Sequence, residues 1–215
     1  MNREKLGMIV AELLGTFILA TVAISAAGYF NFTAPWYTAI AVGITLAALV
    51  AIIGPVSGAH VNPAITIGLW TLKKIETSRA LIYVAAQMLG GLLAFAFVEY
   101  VAGKDIVQQG MSSIDWPIFT AEMVGAAVFG FGVAAAVMQK LEGIYLAFAV
   151  GASLTIGVLI ASVAGPGFIN PAVALANNTW DMTVVLAPIL GCVVGMNVYS
   201  LLLAPTSSLK SSKKK

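Results

Sequence analysis

Apolar residues dominate the chain in six long stretches, which short polar segments separate. A helix needs roughly 20 apolar residues to cross the ~30 Å hydrocarbon core of a bilayer, and each stretch has about that length. Glycine and proline are spread through the stretches, as is usual where membrane helices pack closely. The pattern predicts six transmembrane helices, at about residues 7–28, 36–54, 80–102, 117–139, 144–163 and 182–204.

Two further apolar stretches, 62–72 and 170–180, are too short to cross a bilayer. Each begins with Asn-Pro-Ala, in which asparagine is a strong N-cap and proline is favoured at the first helical position. The glycine- and proline-containing segments before them, 54–58 and 165–167, are expected to break helices. We therefore expect two re-entrant loops, each followed by a half-helix. Non-helical backbone inside the hydrocarbon core of a bilayer is tolerated only where it lines a water-filled cavity or is buried in protein.

Composition excludes several classes of protein. Of 215 residues, 60% are hydrophobic and 9% are charged, whereas soluble domains carry about 25% charged residues. A net charge of +2 without a basic-aromatic patch argues against nucleic-acid binding. One cysteine, Cys192, and one histidine, His60, leave no disulfide framework and no plausible metal site. No nucleophile, base and orienting group can be assembled into a catalytic site, so an enzyme is not expected.

Charge predicts the orientation of the chain. Six spans place both termini on one face, and Lys104 is then the one cation on the other face. By the positive-inside rule, the N- and C-termini of a multi-pass protein of the cell membrane are cytoplasmic, and the basic tail 205–215 is solvated beside anionic lipid. The cations on the face of the termini are Arg3, Lys5, Lys73, Lys74, Arg79, Lys140, Lys210, Lys213, Lys214 and Lys215.

Two different signatures recur at nearly the same interval. Ala-Glu-x-x-Gly at 11–15 returns 110 residues later, and Asn-Pro-Ala at 62–64 returns 108 residues later. A duplicated unit with three spans must be inverted in its second copy, and function in such proteins lies between the repeats near the midplane. The predicted fold is an all-α membrane protein with six transmembrane helices and two re-entrant half-helices, in inverted 3+3 repeats at about 7–102 and 117–204.

These residues resemble the signature of the aquaporin (major intrinsic protein) family, and the resemblance covers the chain from end to end. It implies a single channel domain over residues 1–215, one pore in each protomer, a homotetramer, and passage of water without a cofactor. The two half-helices would meet at Asn62, Pro63 and Ala64 and at Asn170, Pro171 and Ala172. Further matches are Ala-Glu-x-x-Gly-Thr-Phe at 11–17, Ser-Gly-Ala-His-Val at 57–61, Gln87, Glu122, Pro188 and Gly191.

Physical chemistry suggests how such a pore selects. Each half-helix places about half a positive charge at its N-terminus, and two such ends oppose the entry of cations, including hydronium. The amides of Asn62 and Asn170 can donate to a passing oxygen, and loop carbonyls at roughly 57–61 and 165–169 can accept. These groups replace the hydrogen bonds that a neutral solute loses when it sheds its water, but they do not replace the hydration shell of an ion.

Glu12 and Glu122 lie inside predicted spans, where an unpaired ionisable group is costly. A proton relay is one interpretation, and a brace for the re-entrant loops is the other. Their equivalence in the repeat favours the brace. In the family such glutamates support the loops, so the resemblance pairs Glu12 with His60. Phe168 stands at the equivalent of His60, and Glu122 is therefore expected to use backbone donors.

The positions that set selectivity in the family differ here from its usual pattern. Val173 stands where the family has an arginine, Val42 where typical members have an aromatic residue, and Val158 where water-selective members often have histidine. The fourth position of this constriction lies in the second loop and is Gly167. The resulting ring is apolar and has no fixed cation. It favours a wider pore that also passes glycerol- or urea-like solutes, or else a ring that dewets and slows water.

Two other classes of protein stay open on the sequence. One is a proton-coupled secondary transporter that uses Glu12 or Glu122. The other is a non-conducting structural protein with the aquaporin fold, which the short loops disfavour. The residues alone leave the preference between water and larger neutral solutes undecided.

Overall fold

The computed structural model describes residues 2–29, 34–103, 105–106 and 113–205. Lys104, Lys210, Lys213, Lys214 and Lys215, which entered the charge argument, lie outside the described residues, as does the tail beyond residue 205. The described part is all-helical. Its helices are α1 (Arg3–Tyr29), α2 (Pro35–Ser57), α3 (Pro63–Thr71), α4 (Thr77–Ala102), α5 (Trp116–Met138), α6 (Gly143–Ala161), α7 (Pro171–Ala176) and α8 (Met182–Leu202).

Six of these helices are long and apolar enough to cross a membrane, as the hydropathy pattern predicts. The predicted end of the second span is wrong, because α2 continues through Gly54 and Pro55 to Ser57. Proline inside a helix removes one hydrogen bond and crowds the carbonyl of the preceding turn, but Pro55 lies in the last turn of α2 and only two helical residues follow it. The helix ends instead at Gly58, whose φ of +93° is left-handed and whose N–H donates to the carbonyl of Gly54 (2.9 Å).

The two half-helices are α3 and α7, and both begin at the proline of Asn-Pro-Ala. The second is shorter than its apolar stretch suggests. Asn177 ends it, because its side-chain amide donates to the carbonyl of Val173 (2.9 Å) and competes with a further helical turn.

The helices pack in the same way in both halves of the chain. Helix α1 packs along α4 as α5 packs along α8, and each half-helix packs against the last span of the other half, α3 on α8 and α7 on α4. Helices α2 and α6 pack against each other and join the halves. We call the face where α1 begins and α8 ends the terminal face, and the opposite one the distal face. The limits of the two repeats remain predictions.

Glycines allow the spans to approach closely where they cross. A Cβ on Gly43 of α2 would lie 2.9 Å from the carbonyl oxygen of Gly151 on α6, which is too close for any larger residue. A Cβ on Gly195 of α8 would fall on the carbonyl oxygen of Ala127 on α5. Small residues at such crossings let backbones pack directly in a bilayer.

Replacement of Gly195 by valine is expected to force α8 away from α5 and to destabilise the protein by about 3 kcal/mol or more, because a rigid backbone cannot yield to the new side chain. The melting temperature in detergent measures the effect. Gly28→Val is the matched control, since nothing lies within 4 Å of a Cβ built there. Equal melting of the two variants would contradict the close approach.

Candidate functional site

The two Asn-Pro-Ala triplets cap the half-helices. Asn62 has extended backbone (φ −157°), and its Oδ1 accepts from the N–H of Ala64 (2.8 Å). Asn170 does the same with the N–H of Ala172 (3.0 Å). Each side chain thereby satisfies a donor that a helix start leaves open.

The same two asparagines tie the loops to each other. Nδ2 of Asn62 donates to the carbonyl of Ile169 (3.0 Å), and Nδ2 of Asn170 donates to the carbonyl of Val61 (3.0 Å). An amide has two N–H groups, so each asparagine retains one for another acceptor. This reciprocal bond was missed from the sequence, because it joins residues more than 100 positions apart.

Val61 and Ile169, which supply these carbonyls, have left-handed backbone. Their φ values are +41° and +40°, and this conformation costs roughly 1–2 kcal/mol for an L-residue. Both are β-branched, for which left-handed φ is a genuine outlier. Both are fully buried, so surrounding contacts must hold them in place.

Glu12 supplies such contacts in the first loop. Its carboxylate is fully buried and accepts from the N–H of His60 (3.0 Å) and the N–H of Val61 (2.7 Å). It also accepts from Oγ of Ser57 (2.7 Å) and from Nε2 of Gln87 (2.7 Å). Both carboxylate oxygens are therefore occupied by donors from three segments of the chain.

Glu122 has the equivalent position in the second loop. It accepts from the N–H of Phe168 (2.7 Å) and the N–H of Ile169 (2.6 Å), and it is fully buried. Backbone donors thus face this carboxylate, as the presence of Phe168 in place of a histidine suggests. Each loop is anchored by a glutamate from the first span of its own repeat.

Glu12 and His60 are in contact, but they do not pair through their side chains. Only the backbone of His60 reaches the carboxylate. The imidazole lies beside Thr66, with Nδ1 3.2 Å from Oγ1, and packs edge-on against Tyr83. Thr66 and Tyr83 were missed from the sequence, and an isolated threonine or tyrosine in an apolar stretch carries no signal that would single it out.

The four predicted filter positions lie together. Val42 of α2, Val158 of α6, Gly167 of the second loop and Val173 of α7 all line one cavity, toward the distal face from Asn170. Its volume is about 30 Å³, which holds one or two water molecules. Gly167 has φ +68°, and a Cβ there would fall on Oγ of Ser162, so this position needs glycine.

A second cavity of about 210 Å³ lies toward the terminal face. The same two helices, α2 and α6, line both cavities, and residues one helical turn apart line first one cavity and then the other. These stripes are Thr38, Val42, Leu46 and Val50 on α2, and Leu146, Val150, Leu154 and Val158 on α6. They form a mostly apolar path past the paired asparagines, with His60 and Lys74 in the wall near the terminal face.

Two polar residues in the distal cavity were missed from the sequence. Thr38 lies one turn before Val42, and Asn177 one turn after Val173. The spacing of four residues from Val42 and from Val173 could have indicated that Thr38 and Asn177 lie on the same faces as the two valines. The sequence did not indicate that α7 ends just before Asn177.

Known proteins resemble this chain over nearly its whole length. The profile of the family described as Major intrinsic protein matches residues 2–202. Aquaporin Z of Photorhabdus laumondii subsp. laumondii is 29% identical, over 90% of this chain and 96% of its own. Aquaporin NIP3-1 of Oryza sativa subsp. japonica is 32% identical, over 92% of this chain and 67% of its own.

A solved structure has the same fold. The X-ray structure of the aquaglyceroporin from Plasmodium falciparum superposes with a TM-score of 0.77, covering 95% of this chain and 99% of that one, at 22% identity. The profile, the relatives and the six apolar spans agree with one another. The chain belongs to the major intrinsic protein family, and it is therefore a multi-pass membrane protein from a family of channels and not of enzymes.

Proposed function

We propose that the protein is a passive channel for water and for other small neutral solutes. The observation that carries this proposal is the path along α2 and α6, which has a cavity on either side of Asn62 and Asn170. The free N–H groups of the two amides face a passing oxygen at the narrow middle. A distal cavity of about 30 Å³, with room for one or two waters, favours passage in single file.

Ions are excluded at the same place by the two half-helix N-termini. Their partial positive charges point at the pore centre from opposite sides. Helix α3 has nine residues and α7 has six, so α3 contributes the larger field. The largely apolar walls offer an ion nothing in exchange for its hydration shell.

Sidedness follows from the cations of the terminal face. The described ones are Arg3, Lys5, Lys73, Lys74, Arg79 and Lys140, and we place this face in the cytoplasm of a cell-membrane protein. We also propose that the assembled form is a homotetramer, as the resemblance of the sequence to the family implies. Labelling of a cysteine introduced at Glu142 or at Asp105 tests which face is cytoplasmic. Crosslinking in native membranes tests the tetramer.

Stopped-flow light scattering on proteoliposomes tests the channel. We expect water flux well above that of empty liposomes, and Val158→Trp is expected to abolish it because the indole would fill the distal cavity. Leu159→Trp is the matched control, since Leu159 is 41% exposed on the outer surface of the same helix. Water, glycerol and urea fluxes no faster than in empty liposomes would overturn the proposal.

A further inference from the structure

Besides Asn170, the wall of the distal cavity contains two polar side chains that the filter positions do not include. Thr38 and Asn177 lie on opposite elements, α2 and the end of α7, on the distal side of Val42 and Val173. Most of the remaining lining is apolar, with Leu19, Ala23, Leu154 and Phe168 among it. A solute that enters from the distal face therefore meets these two groups before the apolar ring.

Asn177 presents an acceptor to this cavity. Its Nδ2 donates to the carbonyl of Val173 (2.9 Å), which fixes the orientation of the amide because a carbonyl must be paired with the NH₂. The residue is only 5% exposed, and among the described residues its Oδ1 has no hydrogen-bond partner. An oxygen so placed in a pore wall is a ready acceptor for a hydroxyl.

Thr38 offers a hydroxyl that both donates and accepts. It is half-buried in the wall, and no residue in the described ranges hydrogen-bonds to it. By contrast, the hydroxyl of Thr45, further along α2, donates to the carbonyl of Ala41 (2.8 Å) within the helix. The two threonines thus differ in whether the hydroxyl is available to a solute.

We infer that Asn177 and Thr38 form a neutral solute-binding site at the distal entrance of the filter, which holds one hydroxyl of a small polyol while its carbon chain contacts the apolar wall. The inference rests on the proposed channel function. Water in single file keeps hydrogen bonds to its neighbours, whereas a polyol displaces those neighbours and must find its partners in the wall. The arginine that the family usually has at the position of Val173 would offer only donors to a solute. The site formed by Asn177 and Thr38 differs from it, because Asn177 offers an acceptor and neither residue carries a charge.

Thr38→Val removes the hydroxyl with little change of shape and is the principal test. We expect glycerol permeability to fall about fivefold, the effect of one lost hydrogen bond, and water permeability to change less than about twofold, because water retains its file neighbours. Thr45→Val is the matched control and is expected to leave both fluxes unchanged. Asn177→Leu, as a second variant, is expected to lower the ratio of glycerol to water flux as well.

The outcomes separate this site from the channel itself. A glycerol-to-water ratio in Thr38→Val equal to that of Thr45→Val would overturn the site, whatever Asn177→Leu does. Water flux in the wild-type protein without any glycerol flux would also overturn it, but would leave the water channel standing. Absence of both fluxes in the wild-type protein would overturn the proposed function.

Discussion

Replacement of Glu12 by alanine is expected to destabilise the protein by about 3 kcal/mol or more and to abolish water flux. Four donors lose their acceptor at once: the N–H groups of His60 and Val61, Oγ of Ser57 and Nε2 of Gln87. Each unsatisfied buried donor costs roughly 1–3 kcal/mol. The strained backbone at Val61, whose carbonyl binds Asn170, would also lose its anchor. The melting temperature in detergent and stopped-flow water flux measure the two effects.

The controls separate a brace from a proton relay. Glu4→Ala removes an exposed carboxylate from the same helix and is expected to melt like the wild type. Glu12→Gln keeps one acceptor oxygen but turns an NH₂ toward donors, so an intermediate loss of stability is expected. Proton-driven uptake by the wild type that is lost in a Glu12→Gln protein with wild-type melting would show that Glu12 is a relay.

The elements that create the pore could be predicted from local sequence. Asn-Pro-Ala contains both a cap and a helix-starting proline, and it occurs in stretches too short to span. The end of α2 could not be located in this way. Gly54 and Pro55 are breakers by propensity, yet the helix includes them, because propensity gives way to the packing of a long apolar helix.

The contacts inside the site were less accessible to sequence reasoning. The repeat indicated that Glu12 and Glu122 are equivalent, but not that His60 would present its backbone to Glu12 and its ring to Thr66. Such choices depend on the positions of atoms from distant segments. Asn177 is a similar case, since its side chain faces the cavity only because α7 ends after six residues.

Val173→Arg is expected to lower the ratio of glycerol to water permeability by about tenfold. The guanidinium would enter a cavity of about 30 Å³ that otherwise holds only neutral side chains, and it would bring a fixed charge and five donors. Asn177, four residues further along the chain, would supply an acceptor for it through the free Oδ1. That bond would occupy the same oxygen that a polyol needs.

Val173→Leu is the comparison that separates charge from size, because it enlarges the side chain without adding a donor. If the leucine variant lowers the ratio as much as the arginine variant, narrowing alone sets selectivity, and the fixed cation is not the missing element. If neither variant changes the ratio, Val173 does not line the narrowest point. A loss that Val173→Leu does not share, and that is smaller when Val173→Arg is added to Asn177→Leu and compared with Asn177→Leu alone than when Val173→Arg is compared with the wild type, would show that the charge acts through the bond to Asn177. Selectivity in this chain would then depend on whether that one oxygen is free, because the native valine leaves it open to solute and an arginine would cover it.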